Sequence, residues 1–269
     1  MRVSRGEVVR ASRTPAGPVT VRFAERPGAI DVEAWGPGSA WVLERADAWC
    51  GALDDVSRFD PPRGIVRESW RRHRGMRIPA TGLLTERLVP IVLEQKVTGM
   101  EARRAYRAMT LALGEPAPGA LGLRLPPSLE HMAETPYERF HPFGVERRRA
   151  LVLRDLARRS AWIDAAADLP LEEARARLRS IPGIGPWSVA EVARLSLGDA
   201  DAVSVGDFHV PHIVSWTLAR EPRGTDGRML ELLEPYAPHR GRAQRLLEMS
   251  GLTPPAYGPR SEPRSIAAL

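Results

Sequence analysis

The sequence predicts an α+β chain in which a small N-terminal β-rich domain precedes a mostly α-helical one. Three observations predict it. Two early segments, VTVRFAE and AIDVEAW, alternate apolar and polar residues about Pro27-Gly28, the pattern of a hairpin with one buried face. From Thr85 onward the apolar residues recur at helical spacing instead. Between the two regimes, Asp60-Pro61-Pro62-Arg63-Gly64 breaks both periodicities with turn-forming residues.

Taken in order, the hairpin is followed by Trp41, Ala46, Trp49 and Leu53 at roughly helical spacing, which predicts one helix over 39–53 with Ser39 as its N-cap. We place the end of this domain at residue 75, inside the stretch between Gly64 and Arg77. The helical domain then covers 76–252. Leu88, Ile91, Val92 and Gln95 share one face of a helix capped by Thr85, and a second apolar run from Met100 stops at Gly114. The Pro- and Gly-rich stretch 115–127 is a loop. Ser128 and Thr135 read as N-caps, the latter with Pro136 at the first helical position. Further helices are expected over 145–167, 171–179, 186–197, 208–220, 226–233 and 241–249. The tail, 253–269, has too little apolar content to pack and is expected to be mobile. There is no internal repeat.

With 269 residues the chain buries a full core without needing disulfides or a structural metal. The single cysteine, Cys50, excludes an intramolecular disulfide and leaves too little sulfur for a Cys-based zinc site or an iron–sulfur cluster. No run of about twenty apolar residues occurs, and the N-terminus lacks the apolar region of a secretory signal. These features fit a soluble cytoplasmic protein with no membrane partner. The formal charge of +6, from 39 Lys+Arg against 33 Asp+Glu, points toward polyanions. Lys96 is the only lysine, so an amine nucleophile has few sources.

The most informative segment is LRSIPGIGPWSVAEVARLSLGDADAVSVGDFHV. Two short amphipathic helices flank Ile181-Pro182-Gly183-Ile184-Gly185, where the glycines allow a tight turn and leave no side chain to block an approaching phosphate. The second helix starts at Pro186. Its first turn, around Gly185, Trp187 and Ser188, offers backbone N–H groups and the positive end of a helix dipole. An ordinary αα turn reads the same way on these five residues alone. Asp207, ahead of an apolar-periodic helix, likewise reads as an N-cap. Capping does not preclude chemistry, because N–H groups and a helix dipole favour a negative charge that can stabilise a developing cation or direct a water.

Leu178-x-x-Ile181-Pro-Gly-Ile-Gly resembles the helix-hairpin-helix motif, and Asp207 lies twenty residues beyond Trp187, where the DNA glycosylases of that superfamily carry their catalytic aspartate. Upstream, Ile91-Val92-Leu93-Glu94-Gln95-Lys96-Val97-Thr98 resembles the segment that inserts a wedge into the duplex. Phe143-Gly144-Val145-Glu146-Arg147-Arg148-Arg149-Ala150 resembles the Gly-x-x-x-(Lys/Arg)-Ala stretch before another family helix. The nearest likeness is to the 3-methyladenine DNA glycosylase II (AlkA-like) branch, with its small N-terminal β-rich domain. The resemblance implies a two-lobed helical domain with Asp207 in the cleft. It further implies a monomeric, nucleoid-associated base-excision repair enzyme, which flips a damaged base, an alkylated purine, out of double-stranded DNA and hydrolyses its N-glycosidic bond. Flipping is required because the glycosidic carbon is inaccessible within the stack. A non-catalytic helix-hairpin-helix protein that binds damaged DNA is the alternative.

The resemblance assigns further roles. Gln95 and Lys96 fall at the wedge, and Gly183, Gly185 and Ser188 at the phosphate contact. Lys96 also reads as a solvated lysine at a helix C-terminus. Arg147, Arg148 and Arg149 read either as phosphate contacts or as a solvated face. Trp187 falls where the branch stacks an aromatic on the flipped base, a position that a core tryptophan would equally fill. Two other family aromatics fall on Glu191 and Glu248, whose carboxylates could accept hydrogen bonds from exocyclic amines. The backbone carbonyls of Arg179, Ile181 and Ile184 would hold a monovalent cation, Na+ or K+, as the sole inorganic partner. His209 and His212 flank Pro211 without a neighbouring ligand set. Members that also nick DNA through a hairpin lysine place it where Trp187 stands, so abasic-site lyase activity is not expected.

Overall fold

The computed structural model describes residues 1–255. It opens with an antiparallel meander, β1 (Arg2–Ser4), β2 (Glu7–Thr14), β3 (Gly17–Arg26) and β4 (Ala29–Trp35), in sheet order β1-β2-β3-β4. The last hairpin is the predicted one. Arg26 pairs with Ala29 across Pro27-Gly28, and Gly28 adopts φ +78°, a conformation with little cost only for glycine. Strands β1 and β2 extend the sheet beyond the sequence reading.

The helix predicted over 39–53 is instead two short ones, α1 (Ser39–Leu43) and α2 (Ala46–Trp49). Gly38 rather than Ser39 holds the cap position, with no side-chain cap. The cause is Trp49, which turns into the sheet, lying 6.4 Å from both Phe23 and Trp41 and packing with Val19, Val21, Val42 and Leu83. With Trp49 committed there, Leu53 is left 71% exposed and carries no helix forward.

The helices after these are α3 (Ile65–Arg72), α4 (Leu84–Glu94), α5 (Gly99–Leu113), α6 (Leu129–Glu134), α7 (Arg147–Arg158) and α8 (Ser160–Asp164). They continue as α9 (Leu171–Arg179), α10 (Pro186–Ser196), α11 (Val210–Ala219), α12 (Asp226–Leu233) and α13 (Arg240–Glu248). The predicted helix over 145–167 is broken at Arg159 into α7, α8 and a 3-10 turn over Ala165–Asp168. Thr85 is not a cap but lies inside α4. Its N–H is taken by Asp164 Oδ1 at 2.8 Å, and burial holds that carboxyl above its ordinary pKa. Ser128 does cap α6, accepting the His131 N–H at 3.1 Å. Thr135 closes the same helix instead of opening another, because Pro136 holds it extended at ψ 121° and its hydroxyl donates back to the His131 carbonyl at 2.7 Å.

Two compact units result. One contains Met1–Cys50 and Leu83–Asp168. Within it Glu86 of α4 fastens the sheet, taking the Arg10 guanidinium and the Arg13 N–H, each at 2.7 Å. The other contains Gly51–Gly82 and the chain from Leu169 onward. Its core joins Phe59 and Val66 to Val210, Val214, Met229, Leu233 and Leu246. The division therefore differs from a linear boundary at residue 75, since Phe59 and Val66 complete the core around α13. Arg242, fully buried, pairs with the buried Asp54, whose other oxygen takes the Ile78 N–H at 2.9 Å. Among the described residues no helix is long and apolar enough to cross a membrane. The tail expected to be mobile lies, beyond Pro255, outside the described residues.

Candidate active site

The segment between α9 and α10 is a tight hairpin. Ile181 and Ile184 are buried and anchor it, the Ile184 N–H closes onto the Ile181 carbonyl at 3.0 Å, and Gly183 adopts φ +86°. Gly185 is the cap residue of α10, extended, with Pro186 next and no side-chain cap. A Cβ built on Gly185 would meet no heavy atom within 4 Å. The N-terminus of α10 thus opens onto unobstructed space, with first-turn N–H groups and a positive dipole end facing it. Ser188 is buried, only 2% exposed, so its hydroxyl faces inward and the backbone is what it brings to the helix start.

One position before Ser188, the half-buried Trp187 donates its indole N–H to Asp207 Oδ2 at 3.0 Å. Oδ1 accepts the N–H groups of His209 and Val210 at 2.7 and 2.9 Å, but α11 starts at Val210 rather than 208 and His209, not Asp207, holds its cap position, so Asp207 braces the helix start from two residues before that cap. The loop before it is held by Asp226 Oδ1, which takes the Gly206 N–H at 3.1 Å, and by the Asp207 N–H on the Ser204 carbonyl, also 3.1 Å. Three donors converge on the carboxylate and fix its direction, while its partial exposure leaves lone pairs for a ligand or water. Phe208, next in sequence, is 77% exposed. His212 is committed elsewhere, its Nδ1 accepting the Gly224 N–H at 3.1 Å. Among the described residues no cluster of His, Cys, Asp and Glu could hold a metal ion.

Glu191 and Glu248 are not freely presented carboxylates. Glu191 pairs with Arg194 at 2.7 Å and accepts the Ser204 hydroxyl at 2.7 Å. Gln244 accepts the Ser204 N–H at 2.9 Å and donates to Ser204 Oγ at 2.9 Å and to Glu248 at 2.8 Å. Both carboxylates therefore belong to one chain of hydrogen bonds that ends, through the Ser204 carbonyl, at Asp207. Ser204 and Gln244 were not legible as site residues, because polar residues far apart in sequence carry no motif.

In the other unit, Gln95 and Lys96 form the turn between α4 and α5. Lys96 is exposed and adopts φ +59°, a strained conformation for a side-chain-bearing residue. Both sides of it are fixed. Thr98 accepts the Glu101 N–H at 3.3 Å and Glu101 returns to the Thr98 N–H at 2.7 Å, a capping box for α5 that the Thr-x-x-Glu spacing announces. Arg149 is buried and donates to the carbonyls of Leu93, at 2.8 Å, and Gly144, at 3.3 Å. Of the three arginines read as one surface face, Arg149 is thus internal, and burial lowers its pKa. Arg147 lies over Tyr137, 4.8 Å from the ring centroid. Arg149→Met is expected to orphan both carbonyls and cost about 1–3 kcal/mol, read from the denaturant midpoint. Arg149→Lys should recover less than half of that loss, because one ammonium lacks the fork that spans both oxygens. An unchanged midpoint in the Met variant would remove Arg149 from this role.

No protein-family model matches the chain. Over 138 residues, half of this chain, it is 34% identical to a probable bifunctional transcriptional activator/DNA repair enzyme AlkA of Mycobacterium tuberculosis, with the same match in strains CDC 1551 and H37Rv. The match spans 27% of the length of those relatives. Among solved structures it is similar to a 3-methyladenine DNA-glycosylase from Archaeoglobus fulgidus, with a TM-score of 0.75 and 19% identity, covering 92% of this chain and 88% of that one. A Schizosaccharomyces pombe 3-methyladenine DNA glycosylase in complex with abasic DNA gives a TM-score of 0.57 and 20% identity, covering 75% of this chain and 97% of that one. A Clostridium acetobutylicum 8-oxoguanine glycosylase/lyase bound to double-stranded DNA gives 0.66 and 15%, covering 88% and 86%. With the sheet, the hairpin and Asp207 in their expected order, the chain has the fold of these solved DNA glycosylases, and over half its length it is similar in sequence to the AlkA relatives.

Proposed function

We propose that this chain is a monofunctional DNA glycosylase of base-excision repair, acting on a damaged base, an alkylated purine, in duplex DNA. The observation that carries the reading is the Trp187–Asp207 hydrogen bond, which sets an oriented carboxylate beside a half-buried aromatic face. The open N-terminus of α10 docks a phosphate. Trp187 stacks on the flipped base, which as a cationic purine is already a good leaving group. Asp207 stabilises the positive charge that develops on the sugar and directs the attacking water. Lys96, at the strained turn, fills the gap in the duplex together with Gln95. The carbonyls of Arg179, Ile181 and Ile184 are hard neutral oxygens that suit Na+ or K+, which would add positive charge near the docked phosphate. A monomer working on nucleoid DNA in the cytoplasm fits this reading.

The test is incubation with duplexes carrying alkylated, deaminated or oxidised bases. Free base should appear with an unbroken abasic site, and borohydride should trap no enzyme–DNA adduct. An indole at position 187 cannot form a Schiff base, and Lys96 is the only lysine. Efficient trapping lost in Lys96→Ala would reveal a lyase. The alternative, a protein that only binds damaged DNA, is favoured by one feature, the internal pairing of Glu191 and Glu248. Tight binding without release of any base across the panel would establish it.

Gly185→Asp should weaken DNA binding about tenfold or more, uniformly across sequences, because it sets a carboxylate where a phosphate docks. The open space around Gly185 and its φ of −92° let the variant fold. Unchanged affinity would make the hairpin purely structural.

A further inference from the structure

The charge of this chain is unevenly spread. The segment Arg58–Arg77 holds seven arginines against two carboxylates, Asp60 and Glu68, which leaves five of the formal +6 within it. Its helix, α3, borders a cavity of about 370 Å³ lined by Asp60, Pro61, Arg67, Trp70, Arg71 and Arg74. Arg67 and Arg71 share a face of α3 at i, i+4, and Arg74, in the turn just after the helix, lines the same cavity. Arg67 is spent internally, donating to Asp60 Oδ1 and to the Pro61 carbonyl, each at 2.6 Å. Arg71 and Arg74 are exposed and form no ion pair among the described residues, whereas the other carboxylate of the segment, Glu68, reaches Arg72 instead. Trp70 is a firm wall, edge-on to Phe59 at 5.4 Å and backed by the Arg242 guanidinium at 6.0 Å.

We propose that this cavity is a second docking site for the phosphodiester backbone of duplex DNA, separate from the hairpin and with no part in the chemistry. The inference rests on the reading of this chain as a DNA-binding glycosylase. Two guanidinia without ion-pair partners, on Arg71 in the last turn of α3 and on Arg74 in the turn that follows, line the cavity with the Trp70 ring and offer donors that match phosphate oxygens. Concentrated positive charge on one short segment is the footprint of such a contact.

The test is the salt dependence of binding to an undamaged duplex, followed by fluorescence anisotropy, for the wild type and the double variant Arg71→Gln/Arg74→Gln. Removing two phosphate contacts should lower the slope of log K against log salt by about 1.8. Affinity at low salt should fall about tenfold or more. The rate of base release at saturating enzyme should stay unchanged, and combination with Gly185→Asp should give additive losses. An unchanged slope and affinity, with the wild type binding normally and Gly185→Asp impaired, would overturn this site and leave the glycosylase reading intact. A wild type that binds no DNA would overturn both.

Discussion

Asp207→Asn should lower the rate of base release by two or more orders of magnitude while leaving DNA affinity nearly unchanged. Losing a preorganised charge at a developing cation costs that much, and the asparagine oxygen can still accept from His209 and Val210 at the start of α11. The structure adds a control. An amide in place of Oδ2 points a donor at the Trp187 indole N–H, 3.0 Å away in the parent, which could displace the ring. Trp187→Phe removes that conflict, so the double variant should be as inactive as Asp207→Asn if the charge is what matters. Recovery in the double variant, or more than about a tenth of the parent rate in the single one, would end the catalytic assignment.

Asp54→Ala is expected to be the most destabilising single change, at about 3–5 kcal/mol, because it leaves the fully buried Arg242 without its carboxylate. It also orphans the Ile78 N–H. Against a typical domain stability of about 5–15 kcal/mol, this loss brings the fold near failure at growth temperature. Adding Arg242→Met should restore part of it, since an apolar residue there removes the stranded charge and can still pack on Phe59 and Trp70. Chemical denaturation of the single and double variants measures the coupling. A loss below about 1 kcal/mol for Asp54→Ala would mean that water reaches the guanidinium.

What the sequence made legible was whatever is written in local pattern. The hairpin at Pro27-Gly28, the spans of α9 and α12 and the turn at Gly183 each follow from a few neighbouring residues. The misreadings have a common cause. Ser39, Thr85 and Thr135 carry cap chemistry, but tertiary partners decided their fate: Trp49 bent one helix, Asp164 took over a second, and Pro136 turned a third. Arg149 looked like surface because two of its neighbours are arginine, and only the fold shows the Leu93 carbonyl it satisfies. The network through Ser204 and Gln244 joins residues 40 apart in the chain. No window reading finds such a pair.

The placement of Gly51–Gly82 with the C-terminal helices bears on how the chain is born. Asp54 and Arg242 are separated by 188 residues. At ribosomal speeds of about 5–20 residues per second, Asp54 waits roughly 10–40 s for its partner to be synthesised. Throughout that interval Phe59, Val66 and Trp70, whose burial depends on α13, protrude from a nascent chain dense in arginine. Contacts of such long sequence separation form last and slowly. Until α13 is made, the apolar side chains of this segment therefore lack their cover, and the like charges of its arginines oppose association with other nascent copies.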